Sequence, residues 1–279
     1  MRIKLITFTI CFSLIISLSG CIEEQSFEEP EEKPVETNMI YVDDDGGQNF
    51  TKIQSAIDNA SSGDTIFVYH GTYNETVVIN KSITLLGENS EKPVIFYERG
   101  LGDTANIVLI DANNCTFNGF KITASPGFSE IIIGITIYSS NNTISNNSIA
   151  NTTKGIEIGP GYENNTIIWN NISYNKYAIR VQDATKNKIF LNMIAFNERG
   201  ILFCCGSIGN MVYLNTFKEN SVWNGYDLFR NKWDNGSVGN YWDDYIGSDN
   251  DGDGIGDTPY NITGDRNQDN YPLMTPDLW

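Results

Sequence analysis

The stretch Asn142-Thr143-Ile144-Ser145-Asn146-Asn147-Ser148-Ile149 decides the fold of this 279-residue chain, because its pattern returns three more times. The pattern is Asn, any residue, an apolar residue, two further residues, then Asn, any residue and an apolar residue. The later copies begin at Asn165, Asn187 and Asn210, so the step is 22 or 23 residues. A fixed period of this length indicates stacked copies of one supersecondary unit.

A second phrase keeps the same step, a small residue followed by alternating apolar residues, and it begins at Gly134, Gly155, Ala178 and Gly200. Alternation with period two predicts strands, and the Asn, Gly, Ser and Thr between them favour bends. About 22 residues with three short strands and three bends form one turn of a right-handed parallel β-helix. We therefore predict an all-β fold, a right-handed single-stranded parallel β-helix of about six to eight turns.

The recurring asparagines hold two fixed registers. One register contains Asn142, Asn165, Asn187 and Asn210, and the other contains Asn147, Asn170, Asn192 and Asn215. We expect each set to stack at a bend, with its amides hydrogen-bonded to the neighbouring turns as an asparagine ladder.

Both ends of such a stack expose core and unpaired strand edges, so we expect both to be covered. At the front, Thr51-Lys52-Ile53-Gln54 has a capping-box pattern, and apolar residues at helical spacing run from Ile53 to Ala60. These features predict a short N-terminal capping helix. At the back, an irregular C-terminal cap is predicted from the aromatic residues Trp223, Tyr226, Phe229, Trp233, Tyr241, Trp242 and Tyr245. Stacking of these rings on sugars is the alternative.

The first 38 residues have the composition of an export and anchoring segment. Residues 1–20 combine Arg2 and Lys4 with a short apolar run, which predicts a signal peptide. The run ends in Leu18-Ser19-Gly20-Cys21, which resembles a lipoprotein box and predicts a lipid on Cys21; an uncleaved membrane anchor is the alternative. Residues 21–38 then form an acidic tether, residues 39–230 the β-helix and residues 231–279 the C-terminal cap. We expect an extracytoplasmic protein, held on the outer face of the cytoplasmic membrane or at the cell surface by its lipid.

The formal net charge of −17 restricts the possible partners. It argues against nucleic acid and anionic membrane surfaces, so contact with a membrane is expected through the lipid anchor alone. It favours cations and neutral glycans. Sequons such as those at Asn49, Asn74 and Asn261 permit glycosylation of an exported chain.

The stretch from Asp249 to Asp257 resembles the start of a calcium-binding loop. Carboxylates stand at loop positions 1, 3, 5 and 9, and the carbonyl of position 7 completes the set, so the predicted Ca²⁺ ligands are Asp249, Asp251, Asp253, Ile255 and Asp257. Tyr260 occupies position 12, where an EF-hand has Glu, so an EF-hand is not predicted. The alternative is a solvated Asp-Gly turn.

Three segments carry a family resemblance. Residues 40–87, from Ile40-Tyr41-Val42-Asp43 to Ser82-Ile83-Thr84-Leu85-Leu86-Gly87, are similar to the opening of pectin-lyase-like β-helix proteins. The asparagine repeats resemble those of the NosD-like group, named for a periplasmic accessory protein of nitrous oxide reductase. The tail, with Gly239-Asn240-Tyr241-Trp242-Asp243-Asp244-Tyr245, resembles the closing segment of NosD-like surface proteins. The resemblance covers about residues 39–279 and implies relatives that bind or process carbohydrate, or that assist copper-site assembly.

Copper would require soft ligands, and the sequence offers few of them. The single histidine is His70, and the thiols outside the signal peptide belong to Cys21, Cys115, Cys204 and Cys205. For the adjacent Cys204 and Cys205, three roles stay open: core filler, a vicinal disulfide, or soft metal ligands.

Catalysis is a third possibility. Pectin-lyase folds use paired carboxylates, or calcium with Arg or Lys, on an outer face. The candidate charged residues are Glu157, Glu163, Asp183 and Glu198 with Arg180 and Arg199, and they match no known spacing. We therefore expect a non-catalytic module that binds glycan or another cell-envelope component. A copper-handling accessory protein of NosD type and a polysaccharide lyase or hydrolase are the alternatives.

Overall fold

The computed structural model describes residues 38–100, 104–125, 131–264 and 267–276. The predicted signal peptide, the predicted lipid site at Cys21 and all but the last residue of the predicted tether lie outside the described residues. Within them, the chain forms one short α-helix and a long series of short strands that wind as a coil.

Seven complete turns of three strands follow an initial strand. The elements of the initial segment and the first three turns are β1 (Met39–Val42), α1 (Ile53–Asn59), β2 (Thr65–Val68), β3 (Thr72–Asn74), β4 (Val77–Ile79), β5 (Thr84–Gly87), β6 (Val94–Tyr97), β7 (Thr104–Ile110), β8 (Thr116–Asn118), β9 (Lys121–Ala124) and β10 (Ile131–Ile137). The next four turns contain β11 (Thr143–Ser145), β12 (Ser148–Ala150), β13 (Lys154–Ile158), β14 (Thr166–Ile168), β15 (Asn171–Ser173), β16 (Tyr177–Gln182), β17 (Lys188–Phe190), β18 (Met193–Ala195), β19 (Arg199–Cys204), β20 (Met211–Tyr213), β21 (Thr216–Lys218) and β22 (Trp223–Asp227). The tail adds β23 (Tyr241–Trp242), β24 (Tyr260–Asn261) and β25 (Gln268–Asp269).

The strands stack into three parallel sheets along the coil. Sheet A has the order β1-β2-β5-β8-β11-β14-β17-β20, sheet B runs from β3 through β6, β9, β12, β15, β18 and β21 to β23, and sheet C runs from β4 through β7, β10, β13, β16 and β19 to β22. Equivalent residues of successive turns pair directly, as Ile144 does with Phe117 and Ile167. These inward side chains are fully buried and form one continuous core. The predicted right-handed parallel β-helix is confirmed.

The predicted capping helix is present as α1, but the capping box is wrong. Lys52 is the N-cap residue, and its side chain makes no capping hydrogen bond. Instead, the Glu75 carboxylate accepts from the backbone N–H groups of Ile53 and Gln54 at 2.8 and 3.0 Å. At the other end, the Lys81 ammonium donates to three carbonyls of the last helical turn. The first turn of the coil therefore supplies an anion and a cation to the matching poles of the helix dipole.

Both predicted asparagine ladders are present, and their amides are buried. In each step, the Oδ1 atom of one Asn accepts from the backbone N–H of the Asn one turn earlier, for example Asn170 to Asn192 at 2.9 Å. A third ladder, which the sequence analysis missed, joins Asn175, Asn197 and Asn220 in the same way. The ladders thus satisfy the backbone at all three corners of the coil.

The residue before each ladder position has a left-handed backbone. Along the three corners, φ lies between 53° and 70° at Asn141, Asn164, Lys186 and Gly209, at Asn146, Trp169, Leu191 and Leu214, and at Asn151, Tyr174, Phe196 and Glu219. Such a residue bends the chain sharply, and the amide of the next residue then bonds to the adjacent turn. Asn and Gly adopt this conformation readily, whereas bulky side chains rarely do.

The aromatic tail covers the last turn of the coil. Trp233 and Trp242 are 0% and 1% exposed, and Trp242 stacks on Phe217 with ring centroids 4.3 Å apart. Strand β23 pairs with β21, so the tail begins by extending sheet B. These two indoles pack as a cap and offer no free face to a sugar.

Candidate functional site

The corner between sheets B and C carries exposed aromatic residues at strained bend positions. Tyr174 and Phe196 have φ values of 58° and 57°, in the left-handed region. The equivalent residue one turn earlier is Asn151, which tolerates this conformation. A left-handed conformation costs an L-residue about 1–2 kcal/mol. Strained bulky residues of this kind are concentrated at functional sites, so this corner is a candidate for one.

The two rings form a parallel pair. Their centroids are 5.5 Å apart with an interplanar angle of 7°, and Tyr174 and Phe196 remain 57% and 41% exposed. We call these two residues and the hollows beside them the Tyr174–Phe196 corner.

The ring pair stands between two hollows. The larger has a volume of about 480 Å³ and is lined by Asn151, Tyr174, Asn175, Lys176, Phe196, Asn197, Glu198, Glu219 and Ser221. The smaller, of about 310 Å³, is lined by Asn171, Ser173, Tyr174, Met193, Ala195, Phe196 and Lys218. Ammonium, carboxylate, amide and hydroxyl groups therefore surround an apolar wall. Aromatic surface with a few polar groups at its edges is typical of small-molecule sites.

The sequence analysis looked for exposed aromatic residues in the tail and missed this corner. The available signal was the period itself: Tyr174 and Phe196 are 22 residues apart, and each directly precedes an asparagine of the third ladder. Without the third ladder, these two positions could not be assigned to a bend.

The structure brings together three of the predicted calcium ligands. Carboxylate oxygens of Asp249, Asp251 and Asp253 lie within 4.8 Å of one another. Asp257 lies elsewhere in the loop and accepts from the backbone N–H of Asn250 at 2.9 Å. The backbone N–H of Ile255 donates to Asp253 at 2.8 Å.

The loop backbone supports the charged form of Asp249. Partial desolvation favours the neutral acid, but hydrogen bonds from the N–H groups of Gly254 and Gly252 outweigh it and lower the pKa of Asp249. A group of three carboxylates on hydrated backbone turns has the hard oxygen donors that Ca²⁺ prefers.

The candidate catalytic acids face cations. Glu157 is 5% exposed and bonds to Lys154 and Arg180, each at 2.7 Å. Glu163 pairs with Lys186 at 2.7 Å, and Glu198 pairs with Arg199. Asp183 lies at a bend with a φ of 44°. The structure gives Glu157, Glu163 and Glu198 ion-pair partners, which differs from the pair of facing carboxyl groups used in glycoside hydrolysis.

The soft ligands are dispersed except for one pair. The His70 ring bonds to Glu88 at 2.8 Å, and this hydrogen bond raises the pKa of His70. Cys115 is buried in the core. Cys204 is half-buried and Cys205 is exposed, and both thiols are free. The suggestion that these two cysteines are core filler is therefore wrong, because their strand turns them outward from the sheet.

Comparison with solved structures agrees with the coil. Escherichia coli YbhC superimposes with a TM-score of 0.53 at 12% identity, over 78% of this chain and 70% of that one. The pectin methylesterase PemA from Erwinia chrysanthemi gives a TM-score of 0.47 at 15% identity, over 70% and 71%. At these identities, the likeness concerns the fold alone. No helix in the described ranges is both long and apolar enough to cross a membrane.

Sequence relatives are more specific. A stretch of 103 residues is 37% identical to a cell surface glycoprotein of Methanothermus fervidus, over 36% of this chain and 16% of that protein. A stretch of 84 residues is 36% identical to the probable ABC transporter binding protein NosD of Pseudomonas aeruginosa, over 30% of this chain and 20% of the relative. The aligned stretches thus span a fifth or less of these two relatives.

The family match is longer than either pairwise match. Residues 57–247 match the family described as periplasmic copper-binding protein (NosD). This range takes in the capping helix, all seven turns of the coil and the first part of the tail. Because it covers more than half of the chain, this protein belongs to the NosD family.

Proposed function

We propose that this protein is an extracytoplasmic cell-envelope module that binds neutral glycan at the Tyr174–Phe196 corner. Its relatives support the location, since one is named a cell surface glycoprotein and the family description is periplasmic. A lipid on Cys21 would hold the module at the membrane, and the acidic residues that follow would act as its tether.

The observation that carries the proposal is the exposed ring pair between two hollows. A pyranose has apolar C–H faces and polar hydroxyl edges, so it needs an apolar surface with hydrogen-bonding groups around it. The rings of Tyr174 and Phe196 provide the surface, and Lys176, Glu198 and Ser221 lie around the larger hollow. The coil holds this arrangement rigidly, because both rings project from bends fixed by ladder hydrogen bonds.

The charges favour an uncharged ligand. Lys176 and Lys218 are balanced at this corner by Glu198 and Glu219. The chain as a whole carries a formal charge of −17, which repels polyuronates and other anionic polymers over long range.

Binding to a panel of neutral and uronate-containing polysaccharides, followed by calorimetry on the best ligand, tests this proposal. The Tyr174→Asn and Phe196→Asn variants remove each ring while keeping a residue that tolerates the bend, as Asn151 does. We expect each variant to bind about tenfold more weakly, corresponding to the loss of about 1.4 kcal/mol of stacking.

A second aromatic pair provides the matched control. Phe190 and Tyr213 stack at 4.9 Å on the outer face of sheet A, and neither lines the two hollows. Tyr213→Thr should leave glycan affinity unchanged. Equal losses in Tyr213→Thr and Tyr174→Asn, or no neutral glycan bound by the wild type, would contradict the proposal.

A bound calcium ion is the second part of the proposal. Asp249, Asp251 and Asp253 would be its carboxylate ligands and would stiffen the tail that caps the coil. The carbonyl of Ile255 and the carboxylate of Asp257 complete the proposed set. Asp257 would have to leave Asn250 to join it.

A further inference from the structure

A pair of thiols lies where sheet C ends, away from the Tyr174–Phe196 corner at which it begins. Cys204 is the last residue of β19 and pairs in register with Gln182 of the preceding turn. Cys205 follows at a bend with a φ of 60° and is exposed. The outward direction of Cys204 follows from the alternation along β19, in which Ile201 and Phe203 are buried in the core.

A guanidinium group adjoins the pair. Arg180 lies on the neighbouring strand, where it pairs in register with Leu202, two residues before Cys204. Its side chain donates to Glu157 at 2.7 Å and also bonds to the Cys204 thiol. The two thiols bond to each other. The three groups thus form one contiguous row on the outer face of sheet C.

We propose that Cys204 and Cys205 form a two-thiolate site for Cu(I), with Arg180 as a positioning residue that compensates its charge. Thiolate sulfur is the ligand type that Cu(I) prefers. Two thiols lose their protons to solvent, two S–Cu bonds form, and the metal stays Cu(I), so no oxidant or reductant is needed. The resulting complex has a charge of −1, and the Arg180 cation beside it is suited to stabilise that charge.

The surroundings agree with this assignment. Burial raises the pKa of Cys204, so the empty pair stays as thiols and the metal must displace the protons. Glu157 already holds Lys154 as a second cation, so Arg180 is not the sole counter-ion of this buried carboxylate. The site uses neither His70 nor the hollows of the glycan proposal, and therefore the two proposals stand or fall separately.

Anaerobic titration of the reduced full-length chain with Cu(I), in competition with a chromophoric chelator, tests the site. Thiolate-to-copper charge-transfer absorption in the ultraviolet is the second readout. Cys204→Ser and Cys205→Ser should each lose one equivalent of tightly bound Cu(I) and its absorption. Cys115→Ser, which removes a buried thiol, should keep both.

The role of Arg180 is tested with two substitutions. Arg180→Gln should weaken Cu(I) binding by about tenfold, a size typical of groups that support metal ligands. Arg180→Lys keeps the charge and should restore most of the affinity. Circular dichroism and thermal melting would check that each variant is folded.

Two outcomes would overturn the proposal. If the Cys204→Ser/Cys205→Ser double variant binds as much Cu(I) as the wild type with equal affinity, the metal is held elsewhere. If Arg180→Gln and Arg180→Lys bind Cu(I) equally, the guanidinium contributes no charge compensation.

Discussion

Both the backbone N–H and the side-chain amide of Asn240 donate to one carboxylate oxygen of Asp269, at 2.7 and 3.3 Å. Asn240 is the last asparagine of the second ladder, and the indole of Trp242 donates to the same oxygen at 2.9 Å. The first ladder ends in the same manner, because Asn231 and the indole of Trp233 both donate to Asp227. A carboxylate accepts without having to donate, so it closes a chain of amides that each pass one hydrogen bond onward.

The carboxyl group of Asp269 should make stability depend on pH. Burial raises its pKa to about 6, although hydrogen bonds from Asn240 and Trp242 oppose the shift. The folded state therefore holds the proton more tightly than the unfolded chain. Its contribution is fully present below the unfolded pKa of about 4 and is lost as pH rises through 6. The loss amounts to about 3 kcal/mol.

Asp269→Asn isolates this effect. Unfolding free energies of the wild type and the variant would be measured in urea from about pH 4 to pH 7. The stability of the variant relative to the wild type should rise with pH over this range. A constant difference between the two proteins would show that Asp269 titrates normally. Burial raises the pKa of Asp227 in the same direction, so its own contribution is lost in the same sense.

A ladder asparagine should be worth much more than an exposed one. Asn192 accepts from Asn170 and donates to the carbonyls of Ile167 and Phe190 and to Asn215, and it is fully buried. Asn192→Ala leaves several of these groups buried without partners and should cost about 3–5 kcal/mol of unfolding free energy.

Asn171 is the control for that substitution, because it lies in the same repeat but is exposed. Asn171→Ala should change stability by less than about 0.5 kcal/mol. Denaturant unfolding measures both variants. Similar losses for the two would mean that the ladder adds little beyond ordinary strand packing.

Gly239 should be indispensable to the cap. A Cβ atom there would lie 1.7 Å from the Oδ1 atom of Asp269, so Gly239→Ala must displace the residue that closes the ladder. We expect a loss of more than about 3 kcal/mol. At Gly236, an added Cβ meets no atom within 4 Å, and only a φ of 94° opposes substitution. Gly236→Ala should therefore cost about 1–2 kcal/mol in thermal or urea unfolding. Equal costs at the two positions would refute the steric explanation.

Calcium should stabilise the protein through the Asp-rich loop. At a concentration 100 times its Kd, the ion should add about 2.7 kcal/mol and raise the Tm by several degrees. Asp251→Asn should reduce the heat of binding and the Tm shift. Asp234 is an exposed aspartate in the tail outside the loop, and Asp234→Asn should retain both. Titration with Ca²⁺ that gives neither heat nor a Tm shift would contradict the calcium proposal.

The sequence by itself determined the coil, its two visible ladders and its capped ends. Residues with a fixed step of 22 or 23 must occupy equivalent positions in successive turns, and alternation within each step decides which side chains enter the core. The third ladder was missed because its first position is Thr152, so the asparagine pattern there is one copy shorter.

Only the tertiary structure decided which residues meet across distant parts of the chain. Glu75 caps a helix that begins 22 residues earlier, and Asp269 closes a ladder at Asn240. Sequence periodicity is silent on such pairs, since neither partner repeats. The same holds for the exposed ring pair and for the contact of Arg180 with Cys204, because exposure and side-chain contacts depend on how neighbouring turns pack.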